Sequence, residues 1–216
     1  MTLSTSRLNT SIVAPRAGAP DEGSAATPEA EGALILSIGG ATVARQPIVH
    51  DCAIRTRDAV RQQREAARKA LRRCAGACGA PTEGWTQRPD GAPLALDGWY
   101  WSISHKRRWA CAALSRQAVG IDIEEIAPRR VPLYDEIGRD EEWAMLGGRS
   151  WAAFFRLWTM KEATLKANGV GIGAMGDCRL SHVLDETRSV ATYLTDSWHV
   201  THIGFDNHIV AVAAPS

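Results

Sequence analysis

The feature that most restricts the fold is a short alternation of apolar and acidic residues near the middle of the chain. Gly120-Ile121-Asp122-Ile123-Glu124 places a carboxylate after each of two isoleucines. A period of two belongs to a β-strand whose two faces lie in different environments. We therefore predict a strand over 118–124 with Asp122 and Glu124 on the same face.

A second acidic motif lies about forty residues downstream, in a segment with a helical pattern. Trp158-Thr159-Met160-Lys161-Glu162-Ala163-Thr164-Leu165-Lys166 carries Glu162 and Lys166 four residues apart, so both share one helical face. If the strand and the helix pack together, three carboxylates and two lysines converge. Carboxylate oxygens suit a hard cation such as Mg²⁺, and lysines neutralise phosphate charge. Either motif alone is more typical of a solvated strand face or a surface ion pair.

A third motif, Ser102-Ile103-Ser104-His105, lies upstream at the predicted end of a strand. It precedes Lys106-Arg107-Arg108. A serine and a histidine beside three basic residues can donate hydrogen bonds to an anion. An isolated histidine at this position is more typical of an ordinary polar residue at a turn. The Ser-His motif therefore indicates a binding site only in combination with the two acidic motifs.

In order, spacing and residue type, the three motifs resemble the signature of the Sfp-type 4′-phosphopantetheinyl transferases, over roughly residues 90–175. Arg64-Glu65-Ala66-Ala67-Arg68-Lys69-Ala70-Leu71-Arg72 is similar to the basic helix that precedes the Ser-His strand in that family. Its members move the phosphopantetheine arm of coenzyme A onto a serine of a carrier protein and release 3′,5′-ADP. The resemblance implies an enzyme with coenzyme A as co-substrate, Mg²⁺ (or Mn²⁺) as cofactor and an apo acyl or peptidyl carrier protein as partner.

The resemblance also implies roles for individual residues. The metal ligands would be Asp122, Glu124 and Glu162. Glu162, with Asp122 and Lys166, would be catalytic, and Glu162 would be either the base for the carrier serine or a ligand only. By the same resemblance, Lys161 and Lys166 would face the pyrophosphate or the attacking serine. Four further residues would contact the nucleotide's 3′-phosphate end: Arg64, Arg68, Ser104 and His105.

One departure from the family pattern affects nucleotide binding. The family often has Gly-Lys-Pro before the Ser-His strand, and here Asp90-Gly91-Ala92-Pro93 replaces that lysine with Ala92. We expect Lys106, Arg107 or Arg108 to supply the missing charge.

Composition restricts the function further. The net charge of +1, from 25 basic and 24 acidic residues, argues against nucleic-acid binding by bulk electrostatics, although eight basic residues cluster within 55–73. The five cysteines are odd in number and form no paired C-x-x-C pattern, so free thiols in a reducing compartment are expected. No apolar run reaches the length of a membrane span, and the N-terminus lacks a signal-peptide core. These features predict a cytoplasmic protein.

The pattern of elements predicts an α+β fold with two α/β halves of similar plan. The resemblance implies that the halves are related by a pseudo-two-fold axis, with the cofactor in the cleft between them. The predicted parts are a disordered tail at 1–31, an N-terminal half at 32–117 and a C-terminal half at 118–216. The two-half plan favours a monomer, and clefts between such units are common places for ligand sites. Helices are expected at 58–73, 134–146 and 151–168, with Ser150 capping the last. Strands are expected at 33–38, 99–104, 108–114, 118–124, 178–184, 190–195, 198–204 and 208–213.

The partner surface and the competing activities complete the expectations. An acidic carrier protein would dock on basic and apolar residues after the acidic strand, namely Arg129, Arg130, Leu133, Tyr134, Met145 and Leu146. Three alternatives stay open: a non-catalytic coenzyme A-binding module, a Mg²⁺-dependent hydrolase of coenzyme A or nucleotide pyrophosphate, and a nucleic-acid binder using the arginine-rich helix.

Overall fold

The computed structural model of the protein describes residues 33–48 and 56–216. The predicted tail at 1–31, Arg55 and Cys52 lie outside these residues. Within the described part, two antiparallel β-sheets each carry a long helix on one face, which confirms the α+β class. None of the helices described is long and apolar enough to cross a membrane.

The N-terminal sheet has four strands in the order β1-β2-β4-β3. The strands are β1 (Leu34–Ile38), β2 (Ala41–Pro47), β3 (Tyr100–Lys106) and β4 (Trp109–Ser115). Helix α1 (Thr56–Cys78) packs on this sheet through Leu71 and Cys74. The helix is longer than the predicted 58–73, because Cys74 and Ala75 are buried and their burial outweighs the low helix propensity of Gly76.

The C-terminal sheet has five strands in the order β5-β9-β8-β7-β6, all antiparallel. They are β5 (Gly120–Glu125), β6 (Cys178–Val183), β7 (Arg188–Tyr193), β8 (Asp196–Phe205) and β9 (His208–Pro215). All five match predicted strands. Strand β2, in contrast, was not predicted.

Three helices accompany the second sheet: α2 (Leu133–Ile137), α3 (Asp140–Met145) and α4 (Trp151–Ala167). The prediction of one helix over 134–146 is wrong, because the chain is extended at Gly138. A Cβ there would lie 2.6 Å from side-chain atoms of Leu157 and Trp143, so close packing requires this glycine. The predicted cap of α4 is confirmed, since Ser150 Oγ accepts a hydrogen bond from the Ala153 N–H at 3.1 Å.

The two sheets share a pattern of connection. In each, the strand before the long helix pairs with the last strand of that sheet: β2 with β4, and β5 with β9. The predicted two-fold relation requires such a shared pattern, and the axis itself stays a prediction. Strands β3 and β5 lie side by side where the sheets meet, and we call this junction the seam.

Strand β5 lies directly against α4, and Gly120 makes this approach possible. A Cβ at Gly120 would lie 1.8 Å from the Ala163 carbonyl oxygen and 2.7 Å from the Ala167 nitrogen. Both are backbone atoms and cannot rotate away. The glycine therefore brings the acidic strand onto the helix that carries Glu162 and Lys166.

Candidate active site

A cavity of about 730 Å³ opens at the seam, walled by α1, β3, β5, α4 and the loop near residue 90. Of the nine site residues predicted from sequence, eight line it: Arg64, Arg68, Ser104, His105, Asp122, Glu124, Glu162 and Lys166. They come from two helices and from one strand of each sheet, so the fold brings together groups that are up to about one hundred residues apart in sequence. The ninth, Lys161, lies elsewhere.

Asp122 is the most buried of the three carboxylates, with 5% of its surface exposed. Its Oδ1 accepts hydrogen bonds from Lys166 Nζ at 2.6 Å and from Ser104 Oγ at 2.9 Å. Its Oδ2 is buried and has no hydrogen-bond partner in the described part of the chain. A buried carboxylate oxygen without a partner costs free energy, so this atom is available for a cation.

Glu124 lies on the same strand and faces the same cavity. It forms an ion pair with Lys106, with Nζ and Oε2 2.5 Å apart. Burial raises the pKa of the Glu124 carboxyl, and the hydrogen bond from Lys106 partly opposes this. Lys106 therefore contributes positive charge on the carboxylate side of the cavity.

Glu162 projects from α4 into the cavity. Among the described residues, no hydrogen bond or ion pair joins its carboxylate to another side chain. Burial raises its pKa, and so do the negative charges of Asp122 and Glu124, while Lys166 lowers it. Of the three carboxylates, Glu162 is thus the one whose oxygens are most available to take a proton.

His105 and the two arginines provide the basic part of the wall. Burial lowers the pKa of His105, followed by the cations Lys166, Arg64 and Lys106. Arg68 is held in place: its Nη1 donates to the Trp85 carbonyl at 2.9 Å, and its guanidinium lies 4.9 Å from the Trp101 ring centre. The basic part of the cavity thus combines a preoriented arginine with a neutral imidazole.

The prediction that Lys161 faces the pyrophosphate is wrong for this structure. Lys161 has no exposed surface, donates to the Ile137 carbonyl at 2.8 Å and pairs with Glu142 at 3.0 Å. Burial lowers the pKa of Lys161, and Glu142 opposes the shift. The cause is helical geometry: Glu162 and Lys166 face the cavity, and Lys161, about 100° around the helix, points into the core.

Two aromatic residues near the site, Tyr134 and Trp158, both pack against Phe154. Tyr134, expected on a docking surface, is buried and packs at 5.3 Å from Trp143 and 5.5 Å from Phe154 between ring centres. Trp158 stacks on Phe154, with 6.1 Å between ring centres, and also forms part of the cavity wall. An amphipathic side chain at the edge of a core often does both.

Sequence reasoning missed the loop that closes one side of the cavity. Gln87 and Gly91 line it, and Gln87 Nε2 donates to the Gly91 carbonyl at 2.8 Å. Arg88 Nη2 pairs with Asp90 and also donates to the Gly169 carbonyl at 2.7 Å, which ties the loop to the end of α4. Ala92 belongs to this loop. The glycine and proline residues of this segment are typical of a loop, and its composition does not reveal the contact with α4.

The cations expected to replace a lysine at Ala92 have other contacts. Lys106 binds Glu124, and Arg108 lies 3.5 Å from Asp206. Their positions are set by the turn after β3, which directs them to neighbouring carboxylates. Among the described residues, the basic side chains that line the cavity are instead Arg64, Arg68, His105 and Lys166.

A hard divalent cation such as Mg²⁺ is bound by oxygen ligands, among them carboxylates. No group of three His, Cys, Asp or Glu side chains in the described part is arranged as a ready metal cage. Lysines hold Asp122 and Glu124 instead. However, three carboxylates share one cavity, and the buried Asp122 Oδ2 lacks a partner. These oxygens fit a hard cation, and the metal site itself stays a prediction.

Comparison with known proteins finds a family similarity in the C-terminal part of the chain. Residues 118–213 match the family model of the 4′-phosphopantetheinyl transferase superfamily. This match covers less than half of the chain. The match covers β5 through β9, and thus the elements that carry Asp122, Glu124, Glu162 and Lys166.

Several individual relatives that match part of this chain are named 4′-phosphopantetheinyl transferases. The chain is 33% identical over 86 residues to the 4′-phosphopantetheinyl transferase gsp of Aneurinibacillus migulanus, which covers 38% of this chain and 36% of that protein. It is 35% identical over 89 residues to psf-1 of Bacillus pumilus, 38% of each. It is 30% identical over 102 residues to Sfp of Bacillus subtilis strain 168, 45% of each. The resemblance seen in the sequence is confirmed, and the matches span less than half of these relatives.

Proposed function

We propose that the protein transfers the 4′-phosphopantetheine arm of coenzyme A to a serine of an apo carrier protein, with release of 3′,5′-ADP and dependence on Mg²⁺. The observation that supports it most is the single cavity in which Asp122, Glu124, Glu162 and Lys166 meet the basic residues of α1 and β3. Coenzyme A is a polyanion with a diphosphate and a 3′-phosphate. The carboxylates of the cavity can hold a cation beside the diphosphate, and the separate basic groups can bind the 3′-phosphate.

The reaction that follows from these residues is a phosphoryl-group displacement. The carrier serine oxygen attacks the β-phosphorus of coenzyme A, the bond to the α-phosphate oxygen breaks, and 3′,5′-ADP leaves. Glu162 accepts the serine proton, since its carboxylate forms no ion pair with the described residues and burial raises its pKa. Lys166 supplies positive charge beside Asp122.

Asp122, Glu124 and Glu162 would hold the cation, which would offset charge on the diphosphate. The unpartnered Asp122 Oδ2 supports Asp122 as the first ligand. Arg64, Arg68 and His105 would bind the nucleotide end, where the imidazole can gain a proton when an anion approaches. Monomeric action in the cytoplasm stays a prediction.

Transfer is tested directly with coenzyme A, Mg²⁺ and a panel of apo carrier proteins. The expected result is a mass increase on the carrier equal to one phosphopantetheinyl group, together with an equal amount of 3′,5′-ADP. Chelation of the metal should stop both. Release of 3′,5′-ADP without carrier would support a hydrolase instead, and coenzyme A binding with no product would support a binding module.

The carrier is proposed to dock beside the acidic strand. Arg129 and Arg130 are exposed, and Val131 between them and α2 is 68% exposed, whereas the buried Tyr134 no longer belongs to this surface. Met145 and the half-buried Leu133 and Leu146 are the other apolar candidates. An acidic carrier helix would meet these exposed arginines, which follow the acidic strand in the chain.

Reversing the charge of both arginines, by Arg129→Glu and Arg130→Glu, should raise the KM for the carrier about tenfold. The reason is the lost electrostatic attraction during association, which salt also weakens. The KM for coenzyme A serves as the internal control and should change little. An unchanged carrier KM at low salt would remove this surface from the proposal.

A further inference from the structure

The seam between the sheets is joined by two serine side chains. Strands β3 and β5 belong to different sheets, and hydroxyl groups of β3 reach across to the edge of β5. Ser102 Oγ accepts a hydrogen bond from the Ile121 N–H at 3.1 Å, and Ser104 Oγ accepts one from the Ile123 N–H at 3.4 Å. Because alternate residues of a strand face the same way, the two serines match two successive outward N–H groups of β5.

Ser104 differs from Ser102 in its further contacts. Its hydroxyl donates to Asp122 Oδ1 at 2.9 Å and accepts from Lys166 Nζ at 3.3 Å. A serine hydroxyl has one proton to donate and two lone pairs to accept with. The proton goes to Asp122, and the lone pairs go to Ile123 and Lys166. Ser104 is 8% exposed, so its bonding capacity is used within the protein.

From this arrangement we infer that Ser104 is a positioning residue that fixes the Asp122 carboxylate, rather than a contact for the 3′-phosphate of the nucleotide. An incoming phosphate oxygen needs a donor, and the one proton of Ser104 is already committed. Ser104 and Lys166 both donate hydrogen bonds to Oδ1 of Asp122. Oδ2 of Asp122 is left without a hydrogen-bond partner among the described residues, and a cation can bind there. The inference rests on the proposed function for its kinetic readout.

Residues that orient a ligand to a metal have effects of known size. Loss of such a partner usually costs about 10–100-fold in metal affinity or activity. Ser104→Ala should therefore weaken Mn²⁺ binding, measured by titration of the free ion in solution, by about 10–100-fold. It should reduce kcat/KM for transfer by a similar factor.

Ser102→Ala is the matched control. Both substitutions leave one N–H of β5 without its acceptor, so both should lower the midpoint of thermal unfolding by a few degrees. Ser102 has no contact with Asp122 among its hydrogen bonds, so its variant should keep Mn²⁺ affinity and kcat/KM within about threefold, the usual context-dependence of single contacts. A purely structural role for Ser104 predicts that the two variants behave alike.

A second co-substrate separates positioning from phosphate binding. With 3′-dephospho-coenzyme A, which lacks the 3′-phosphate, Ser104→Ala should lose the same factor in kcat/KM as with coenzyme A. The inference would be overturned if Ser104→Ala lost no kcat/KM with 3′-dephospho-coenzyme A. It would also be overturned if Ser104→Ala bound Mn²⁺ as tightly as the wild type. If Ser104→Ala does not fold, Ser104→Cys, with a weaker donor of similar size, should show a smaller loss in the same direction.

The two proposals fail in different ways. Wild-type protein that binds Mn²⁺ more tightly than Ser104→Ala but modifies no carrier would refute the transferase activity and keep the role of Ser104. If the wild type is active but binds Mn²⁺ with the same affinity as Ser104→Ala and Ser102→Ala, the transferase activity is supported and the proposed role of Ser104 is refuted.

Discussion

Replacement of Glu162 by glutamine is expected to reduce transfer by at least about 100-fold, since loss of a positioned base typically costs 10²–10⁴-fold. Glutamine keeps the shape of the side chain but cannot accept the serine proton. Glu162 has no ion pair among the described residues, so the substitution leaves no buried cation without its partner. The thermal midpoint of Glu162→Gln should therefore equal that of the wild type, and the loss should appear in kcat.

The pH dependence gives an independent measurement. A base acts only when deprotonated, and burial raises the pKa of Glu162. The acidic limb of the kcat/KM profile should therefore lie at higher pH than an ordinary glutamate would give, with activity falling as pH drops through that raised pKa. Exposed Glu136→Gln is the control and should have wild-type activity and the same profile.

The same variant distinguishes the two roles that sequence left open for Glu162. If it acts as base, Glu162→Gln keeps the Mn²⁺ affinity of the wild type and loses rate. If it acts mainly as a ligand, affinity and rate fall together. Full activity of Glu162→Gln would contradict both roles and remove Glu162 from the site.

Local periodicity explains what the sequence predicted well. The alternation at Ile121–Glu124 fixes which side chains share a strand face, and the spacing of Glu162 and Lys166 fixes a helical face. The cap at Ser150 and the left-handed Gly169 bound the helix by short-range rules. Each of these depends on neighbours within a few residues, so one sequence is enough to specify it.

Contacts between distant elements explain what it missed. Lys161 shares the Lys-Glu motif with Glu162, and only the packing of α4 against Glu142 shows that it is a core residue. The ion pair between Lys106 and Glu124, and the bond from Ser104 to Asp122, exist because β3 meets β5 at the seam. Strand β2, with Arg45 and Gln46 in its sequence, lacks the apolar run expected of a strand between two others.

The closeness of β5 to α4 produces the other large expected effect, at Gly120. Gly120→Ala should lower the free energy of unfolding by at least about 3 kcal/mol, the upper end for overpacked sites. The new Cβ would lie 1.8 Å from the Ala163 carbonyl oxygen, and neither partner is a flexible side chain. For a chain of this size, each kcal/mol shifts the thermal midpoint by about 2–4 °C. Thermal unfolding followed by circular dichroism measures the shift.

Gly76→Ala is the matched control, because Gly76 lies inside α1 with no atom within 4 Å of a built Cβ. It should stabilise the protein by about 0.5–1 kcal/mol, the difference between glycine and alanine in a helix. If Gly120→Ala folds at low temperature, relief of the clash must move β5 away from α4. Asp122 then separates from Lys166, and transfer should fall more than the folded fraction does. A Gly120→Ala protein with wild-type stability and activity would show that the site does not depend on direct contact between the acidic strand and this helix.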